Sequence, residues 1–165
     1  MNVSKEIPNA LNGWRKDIAD PLLTSYYHAL GKPLFRFEGD IVKRAKALFE
    51  FDCAVLAHDT EIDPIFSYAN KTALDIFGYT WEELINLPSR MSAEQDLQEK
   101  RAEAMLTVSR QGHIEGYSGI RICKSGRRFA IENATIWNLT TNSCAPMGQA
   151  ATFSSYKFVK STEKI

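Results

Sequence analysis

The sequence predicts an α+β domain: a curved antiparallel sheet of about five strands with helices on one face and an N-terminal helical extension. Two observations lead to this fold class. Apolar residues recur at helical spacing before residue 50, whereas short strand-like runs begin at Phe51. From there the predicted order is strand, strand, short helices, long helix and three strands, which differs from the βαβ alternation of a parallel sheet. A chain of 165 residues is long enough to bury the core of one such domain.

Residues 1–50 are expected to form three helices. The first follows Asn9, the second has Asp20 as its N-cap and Pro21 at its first position, and the third begins at Asp40. Each helix carries one apolar stripe. Two interpretations of these stripes stay open. They cover the core of the following domain as a lid, or they form a dimerisation element that binds a second copy of the chain.

Helix caps follow the two strands predicted within residues 51–68. Asn70 is a good N-cap for a short helix that ends at Gly78. Thr80 and Glu83 have the spacing of a capping box, in which each side chain bonds to the backbone of the other residue. The segment is therefore expected to form two short helices packed on the sheet.

The longest helix is expected to run from Ser92 to Gly112, after a capping box formed by Ser92 and Gln95. Its apolar stripe includes Val108. Its charged residues, including Arg101, are expected to face solvent.

The last third of the chain is predicted to be a meander of three strands. A two-residue turn at Ser125-Gly126 places Ile122 opposite Phe129 on an apolar face and turns Arg121 to the other face. A final strand, 147–158, is expected to return beside the first strand and close the sheet into a cup.

Three polar side chains share the predicted apolar face of this hairpin with an aromatic wall. Ser118, Asn133 and Thr135 lie in line with Trp137. A buried polar group needs a hydrogen-bond partner, because leaving it unpaired costs about 1–3 kcal/mol. These side chains therefore either satisfy one another across the ladder or contact a bound small molecule.

Two further residues are candidates for ligand binding. Arg90 lies near the predicted N-terminus of the long helix, where backbone amides attract an anion. It either holds the carboxylate or phosphate of a ligand, or it pairs with Glu94 or with a helix C-terminus. Tyr68, at the end of the second strand, is the other candidate.

The segment from Asn70 to Leu87 resembles the PAS fold, in which an Asn opens a short helix ending in a phrase like Phe-Gly-Tyr and a Glu-Glu-Leu helix follows. The whole chain resembles the MEKHLA domain family, a PAS-related group. In plants this domain ends class III homeodomain–leucine-zipper proteins, and in bacteria it occurs as short stand-alone proteins. The resemblance is carried by Leu87-Pro-Ser-Arg90, Ser92-Ala-Glu94, Lys100-Arg101, Tyr117-Ser-Gly-Ile-Arg-Ile122, Gly126-Arg-Arg-Phe129, Trp137 and Gly148-Gln-Ala-Ala-Thr-Phe153.

This resemblance implies a PAS-like curved sheet, with residues 51–160 as the MEKHLA domain. The sequence contains neither a homeodomain nor a heptad zipper, so the stand-alone bacterial type is expected and the transcriptional role of the plant proteins is not carried over.

Charge and cysteine content narrow the classes of partner. Twenty basic and twenty acidic residues cancel, so no long-range field favours nucleic acid or an anionic membrane. No apolar run is long enough to span a bilayer. Three widely spaced cysteines without a C-x-x-C pair are typical of reduced thiols, and a cytoplasmic location is expected.

Catalytic and cofactor motifs do not occur. The sequence contains no G-x-S-x-G, P-loop, G-x-G-x-x-G or H-E-x-x-H pattern. No catalytic residue and no metal site is therefore expected. Neither haem nor flavin is supported by a motif, and the cofactor stays unknown. The isolated histidines do not indicate a haem site, and none of the cysteines lies in the Asn-Cys-Arg context of a flavin-binding photoreceptor. These residues are His28, His58, His113, Cys53, Cys123 and Cys144.

The sequence thus favours a sensory or regulatory module that binds a small molecule, a protein partner or a second copy of itself, without catalysis. Two alternatives stay open. One is a small isomerase- or hydrolase-like enzyme that uses the same cup, and the other is a purely structural interaction domain.

Overall fold

The computed structural model describes residues 5–94 and 97–160. Within these residues it contains five α-helices and a sheet of six strands, and none of the helices is long and apolar enough to cross a membrane. In chain order the elements are α1 (Lys16–Leu30), α2 (Ile41–Phe49), β1 (Ala54–His58), β2 (Phe66–Ala69), α3 (Lys71–Phe77), α4 (Trp81–Leu84), α5 (Gln98–Gln111), β3 (His113–Ile122), β4 (Arg128–Thr140), β5 (Pro146–Phe153) and β6 (Ser155–Phe158).

The sheet is antiparallel throughout and has the strand order β2-β1-β5-β4-β3. β6 continues along β4 after a break at Ser154, so β5 and β6 together form the single last strand that the sequence predicts. β5 pairs with β1, which confirms that the last strand returns beside the first. The predicted α+β class with a curved antiparallel sheet is therefore confirmed.

Helices cover the two faces of the sheet, and β4 shows the division. Trp137 is fully buried beneath α1, where its Nε1 donates to the Ser25 hydroxyl at 3.0 Å and Tyr26 packs edge-on at 5.0 Å between ring centroids. Its neighbour Ile136 points the other way, into a cavity beneath α5, because successive strand residues alternate between faces. We call the α1 side the outer face and the α5 side the inner face.

The N-terminal helices differ in part from the prediction. Asn9 begins a 3₁₀ segment, Ala10–Arg15, and α1 starts at Lys16, so Pro21 lies inside a helix and not at its first position. The turn before this proline contains buried side chains, Ile18 and Ala19, whose packing explains why the helix extends across it. The prediction that a third helix begins at Asp40 is confirmed, since Asp40 caps α2.

Asn70 caps α3 as predicted and also ties this helix to β1. Its Oδ1 accepts hydrogen bonds from the backbone N–H groups of Ala73 at 3.1 Å and Val55 at 3.0 Å. Its Nδ2 donates to the carbonyl of Cys53 at 2.8 Å. Because the side chain is fully buried, these bonds satisfy a group that would otherwise be costly. The capping box of α4, between Thr80 and Glu83, is confirmed as well.

The predicted register of the β3–β4 hairpin is wrong by one residue near the turn. Arg121 lies opposite Phe129, and Ile122 lies opposite Arg128. The turn holds three residues, because the Cys123 N–H donates to the Arg127 carbonyl at 2.8 Å. Gly126 takes φ of +87° as the last of the three, which is typical of a type I turn followed by a bulge. One residue of slip reverses the faces, so Arg121 points inward.

Two further irregularities follow along the hairpin. The pairing shifts between Gly119 and Tyr117, so that Tyr117 lies opposite Ala134, as the sequence predicts, and it shifts back before Ile114, which lies opposite Ile136. Asn133 adopts φ of +54°, a left-handed conformation that Asn tolerates better than most residues. The bulge leaves the Asn133 side chain exposed.

Helix α5 begins later than predicted. It starts at Gln98, and Leu97 occupies its N-cap position without a side-chain cap. Ser92 lies in a 3₁₀ segment, Ser89–Ser92, where its hydroxyl donates to the Ser89 carbonyl at 2.7 Å. Gln95, the other half of the predicted capping box, lies outside the described residues. Arg101 was expected to face solvent, but it lines the inner cavity.

Candidate functional site

The candidate site is a cavity of about 60 Å³ between the inner face of the sheet and α5. A water molecule needs a free volume of roughly 10–15 Å³, so the cavity has room for about four to six water molecules. Its walls are mainly apolar and come from strands on both sides of the sheet centre: Leu56, Phe66, Ile131, Ile136 and Phe153. The cavity is therefore a small apolar chamber rather than an open cleft.

A wider groove of about 790 Å³ adjoins the chamber beside the β1–β2 loop. Four residues line both the chamber and the groove: His58, Arg101, Met105 and Gln149. We call these four residues the mouth. These residues form the boundary that the groove and the chamber share.

Arg121 reaches the chamber from β3 and is 7% exposed. One terminal nitrogen donates to the Ile120 carbonyl at 2.9 Å, and the other donates to the Tyr117 hydroxyl at 3.1 Å. Gly119 provides the space, because a Cβ there would come within 2.8 Å of the Tyr117 hydroxyl and 3.1 Å of Arg121 Nη1. The guanidinium is thus oriented by neighbours on its own strand.

Arg101 reaches the same chamber from α5. Burial is the main cause that lowers its pKa to about 10, and the positive charge of Arg121 lowers it further. Within residues 5–94 and 97–160, Arg101 makes no hydrogen bond or ion pair, and no Asp or Glu lines the chamber. Two cationic side chains therefore share a small apolar space without an acidic partner from the described part of the chain.

His58 and Gln149 complete the polar part of the mouth. Nδ1 of His58 lies 3.0 Å from the Asp59 carbonyl, which can only accept, so this nitrogen carries the proton in the neutral ring. Nε2 is buried without a partner, and burial is the main cause that lowers the pKa of His58. Gln149 donates to the Met105 carbonyl at 2.9 Å, which ties β5 to α5.

The structure places most of the predicted ligand-binding residues away from the chamber. Trp137 and Thr135 share the outer face, and Trp137 is covered by α1. Ser118 and Asn133 are exposed near the bulge. The one-residue slip and the bulge explain these positions, because together they change which side chains of the hairpin face inward.

Tyr68 and Arg90, the two other predicted candidates, lie in different parts of the structure. Tyr68 is fully buried against Trp81, with ring centroids 5.8 Å apart, and it does not line the chamber. Arg90 borders the groove and forms an ion pair with Asp63 at 3.1 Å, instead of the pair with Glu94 that was considered. Arg90 is thus the one predicted candidate that the structure brings to the groove.

Sequence reasoning missed Arg101 and Arg121, although each left a signal. Arg101 lies four residues after Leu97 and four before Met105, which is the spacing of the stripe that leads to Val108. A charged residue on an apolar stripe indicates an inward position. For Arg121 the signal was Gly126, which also fits the third position of a three-residue turn. Such a turn reverses the face to which Arg121 points.

The fold is similar to several solved structures. The PAS domain of a protein from Colwellia psychrerythraea is similar, with a TM-score of 0.60 and 23% identity over 73% of this chain and 98% of that chain. A light-oxygen-voltage domain studied with a flavin analogue has a TM-score of 0.56 and 17% identity, over 72% of this chain and 86% of that chain. The light-state dimer of the fungal photoreceptor Vivid has a TM-score of 0.56 and 15% identity, over 82% and 92%. At these identities the comparisons show the fold alone.

The sequence comparisons concern family membership. Homeobox-leucine zipper protein HOX10 of Oryza sativa is 25% identical over 136 residues, which cover 82% of this chain and 16% of that protein. The chain thus spans a small part of the curated relatives that it matches. The sequence model of the MEKHLA domain matches residues 16–158, a region that begins in α1 and ends with β6. Since this match extends over most of the sequence, the chain belongs to the MEKHLA domain family.

Proposed function

We propose that the chain is a sensory module that takes up a small molecule in the chamber and reports its presence through α5. The observation that carries this proposal is the composition of the mouth. Two of its residues, Arg101 and Met105, lie on α5, and the other two lie on β1 and β5. A ligand that passes the mouth therefore contacts the helix, and its binding free energy can shift the position of the helix.

Helix α5 is attached unevenly, which supports such a shift. Among its described residues only Val108 is buried. The second half of α5 is bound to the sheet, since Asn138 donates to the Val108 carbonyl at 3.1 Å and Gln149 donates to Met105. The first half is held by Gln98, whose side chain donates to the Ala93 carbonyl at 3.2 Å. We propose that the first half moves while the second half acts as the hinge, because segments with few buried contacts open at low cost.

The chamber does not fit a flavin, although similar folds include a domain studied with a flavin analogue. Pockets for drug-sized ligands have volumes of roughly 300–1,000 Å³, which is several times the space between these walls. Phe77, Tyr117 and Arg121 are among the side chains that bound this small space. No cysteine is among the residues that line it. We therefore assign no step to a flavin.

Binding without catalysis is the proposal that the lining residues favour over an enzyme. Catalytic sites bring a nucleophile or acid together with a base. Among the described residues, three of this class line the chamber, His58, Ser92 and Tyr117. The Ser92 hydroxyl donates to a backbone carbonyl, and the Tyr117 hydroxyl accepts from Arg121, so neither is paired with His58. The alternative of an isomerase- or hydrolase-like reaction has no comparable support.

The division of the chain at residue 50 is kept as a proposal, with the N-terminal helices as a lid on the outer face. Ile18, Leu22 and Tyr26 of α1 are buried in the core, so the apolar stripe of this helix is already covered. Tyr27, next to this stripe, is 54% exposed, and homodimerisation through this side remains the competing proposal. A cytoplasmic location is proposed from the free thiols alone.

Filling the chamber tests the proposed function. In Ala151→Leu the larger side chain occupies the chamber, and Ala145→Leu makes the same change at an exposed loop position as the control. Both variants and the parent chain are screened by thermal unfolding against a panel of small metabolites. We expect a subset of compounds to raise the Tm of the parent chain and of Ala145→Leu, and to lose this effect in folded Ala151→Leu. If no compound binds the parent chain, or if Ala151→Leu binds equally well, the proposal fails.

A further inference from the structure

We infer that the ligand of the chamber is a small organic carboxylate whose charged group is bound jointly by Arg101 and Arg121. This inference rests on the proposed function and names its ligand class. It starts from an imbalance of charge, because two guanidinium groups line one apolar chamber and the described residues supply no acidic side chain to it. An anion between the two groups would correct this imbalance.

The state of Arg101 supports this assignment. Burial and the charge of Arg121 both oppose its protonated form, which lowers its pKa to about 10. The side chain of Arg101 is partly buried, and a cation that faces apolar walls without a partner is costly. Its presence here is explained if the partner arrives from solution.

The donors that remain are suited to a carboxylate. A guanidinium has five N–H groups in a planar fork that matches the two oxygens of a carboxylate. Arg121 uses its two terminal nitrogens for the Ile120 carbonyl and the Tyr117 hydroxyl, and each of these nitrogens keeps a second N–H. Arg101 has no hydrogen bond to any described residue. Together they can surround one carboxylate with charge-assisted hydrogen bonds.

The size and polarity of the chamber define the rest of the ligand. About 60 Å³ corresponds to roughly four to six non-hydrogen atoms of water size. The other walls are aliphatic or aromatic, so the body attached to the carboxylate is short and apolar. A phosphate group has additional oxygens that need donors, and apolar walls cannot supply them. A carboxylate is therefore favoured over a phosphate.

Titration of the full chain with sodium propionate tests this inference at constant ionic strength, with propionamide as the neutral compound of the same shape. Binding is followed by thermal unfolding and by NMR chemical shifts. The variants are Arg101→Gln and Arg121→Gln, and Arg110→Gln, exposed on the same helix, is the control. We expect propionate to bind at least tenfold more tightly than propionamide. Each chamber variant should lose at least tenfold in affinity, and Arg110→Gln should lose none.

Three outcomes would overturn the inference. Propionate binding that survives both arginine substitutions would place the site elsewhere. Binding of inorganic phosphate but not of propionate, with the same dependence on the arginines, would assign a different anion. Binding of propionamide or another neutral compound in preference to propionate would leave the sensory module intact and remove only the carboxylate. NMR spectra of the unliganded variants show whether they are folded, so that loss of binding is not confused with loss of structure.

Discussion

Arg121 lies directly opposite Phe129 in the β3–β4 ladder, and this pairing places its guanidinium on the inner face of the sheet. The three-residue turn at Gly126 sets the pairing, since a two-residue turn would send Arg121 to the outer face. The chemistry of the chamber therefore depends on the conformation of the turn that joins β3 to β4.

Gly126→Ala is expected to destabilise the fold through this turn. Gly126 has φ of +87°, and a side chain in the left-handed region costs about 1–2 kcal/mol. Ser125→Ala, one residue earlier in the same turn, removes only a long, exposed hydrogen bond from the Arg127 N–H at 3.3 Å, and it is expected to change the free energy of unfolding by about 0.5 kcal/mol or less. Urea unfolding measures both, and equal stability of the two variants would show that the turn has a different conformation.

Asn70→Ala should be among the most destabilising single substitutions in the chain. It removes an N-cap, worth about 1 kcal/mol, and leaves the buried Val55 N–H and Cys53 carbonyl without this partner, at about 1–3 kcal/mol. We expect a loss of roughly 2–4 kcal/mol in chemical unfolding. Asn86→Ala, at an exposed position, is the control. A loss in Asn70→Ala no larger than in this control would contradict the tie between α3 and β1.

His58 is expected to make the protein less stable in mild acid. Burial is the main cause that lowers its pKa in the folded chain below the ordinary 6.5, Arg101 acts in the same direction, and the Asp59 contacts act against it. The unfolded chain therefore binds a proton at a higher pH than the folded chain does. Stability is fully present above pH 6.5 and decreases as the pH falls from there towards the folded pKa.

His58→Gln tests this dependence, because glutamine keeps polar atoms but does not titrate. Thermal unfolding between pH 5 and 8 should show a smaller decline in Tm on acidification for His58→Gln than for the parent chain. His28→Gln, on α1 away from the mouth, should keep the decline of the parent chain. Identical profiles for His58→Gln and the parent chain would mean that the ring is not held neutral by burial.

Arg101→Gln is expected to leave the stability of the unliganded chain unchanged or to raise it. Removing this side chain relieves both its burial and its repulsion with Arg121, and breaks no hydrogen bond to a described residue. Thermal unfolding without added carboxylate checks this result, and it separates a binding residue from a structural one. A marked fall in Tm would indicate that Arg101 already has a stabilising partner.

Trp137→Phe should weaken the fold without affecting the chamber. The substitution keeps most of the apolar area but removes the hydrogen bond to Ser25, at a cost of about 0.5–1.5 kcal/mol. Because Trp137 faces α1, ligand affinity should stay the same. Loss of ligand binding in a folded Trp137→Phe variant would contradict the assignment of this residue to the outer face.

The helix caps at Asn70 and Thr80 were predicted correctly from the sequence, whereas those at Asp20 and Ser92 were not. Asn70 and Thr80 cap their helices through contacts within three residues, and such contacts can be identified without knowing the fold. The strand order was also accessible, because β5 has to return to β1 to close the sheet.

The candidate site was harder to predict because it depends on two choices between nearly equal local patterns. Lys-Ser-Gly fits a two-residue or a three-residue turn, and only the second points Arg121 inward. Arg101 was assigned to solvent from its charge, although its spacing from Leu97 matches the apolar stripe. Trp137 was assigned to the cup because the sequence does not show which face of the sheet α1 covers.

Amide hydrogen exchange of α5 tests the central claim, that a ligand in the chamber is reported by this helix. The account predicts that propionate, or another compound found to bind, slows exchange in the first half of α5, Gln98 to Ala104, in the parent chain. The second half, which is bound to Asn138 and Gln149, should change little. The effect should vanish in Arg101→Gln and persist in Arg110→Gln. A bound ligand that leaves exchange throughout α5 unchanged would contradict the account.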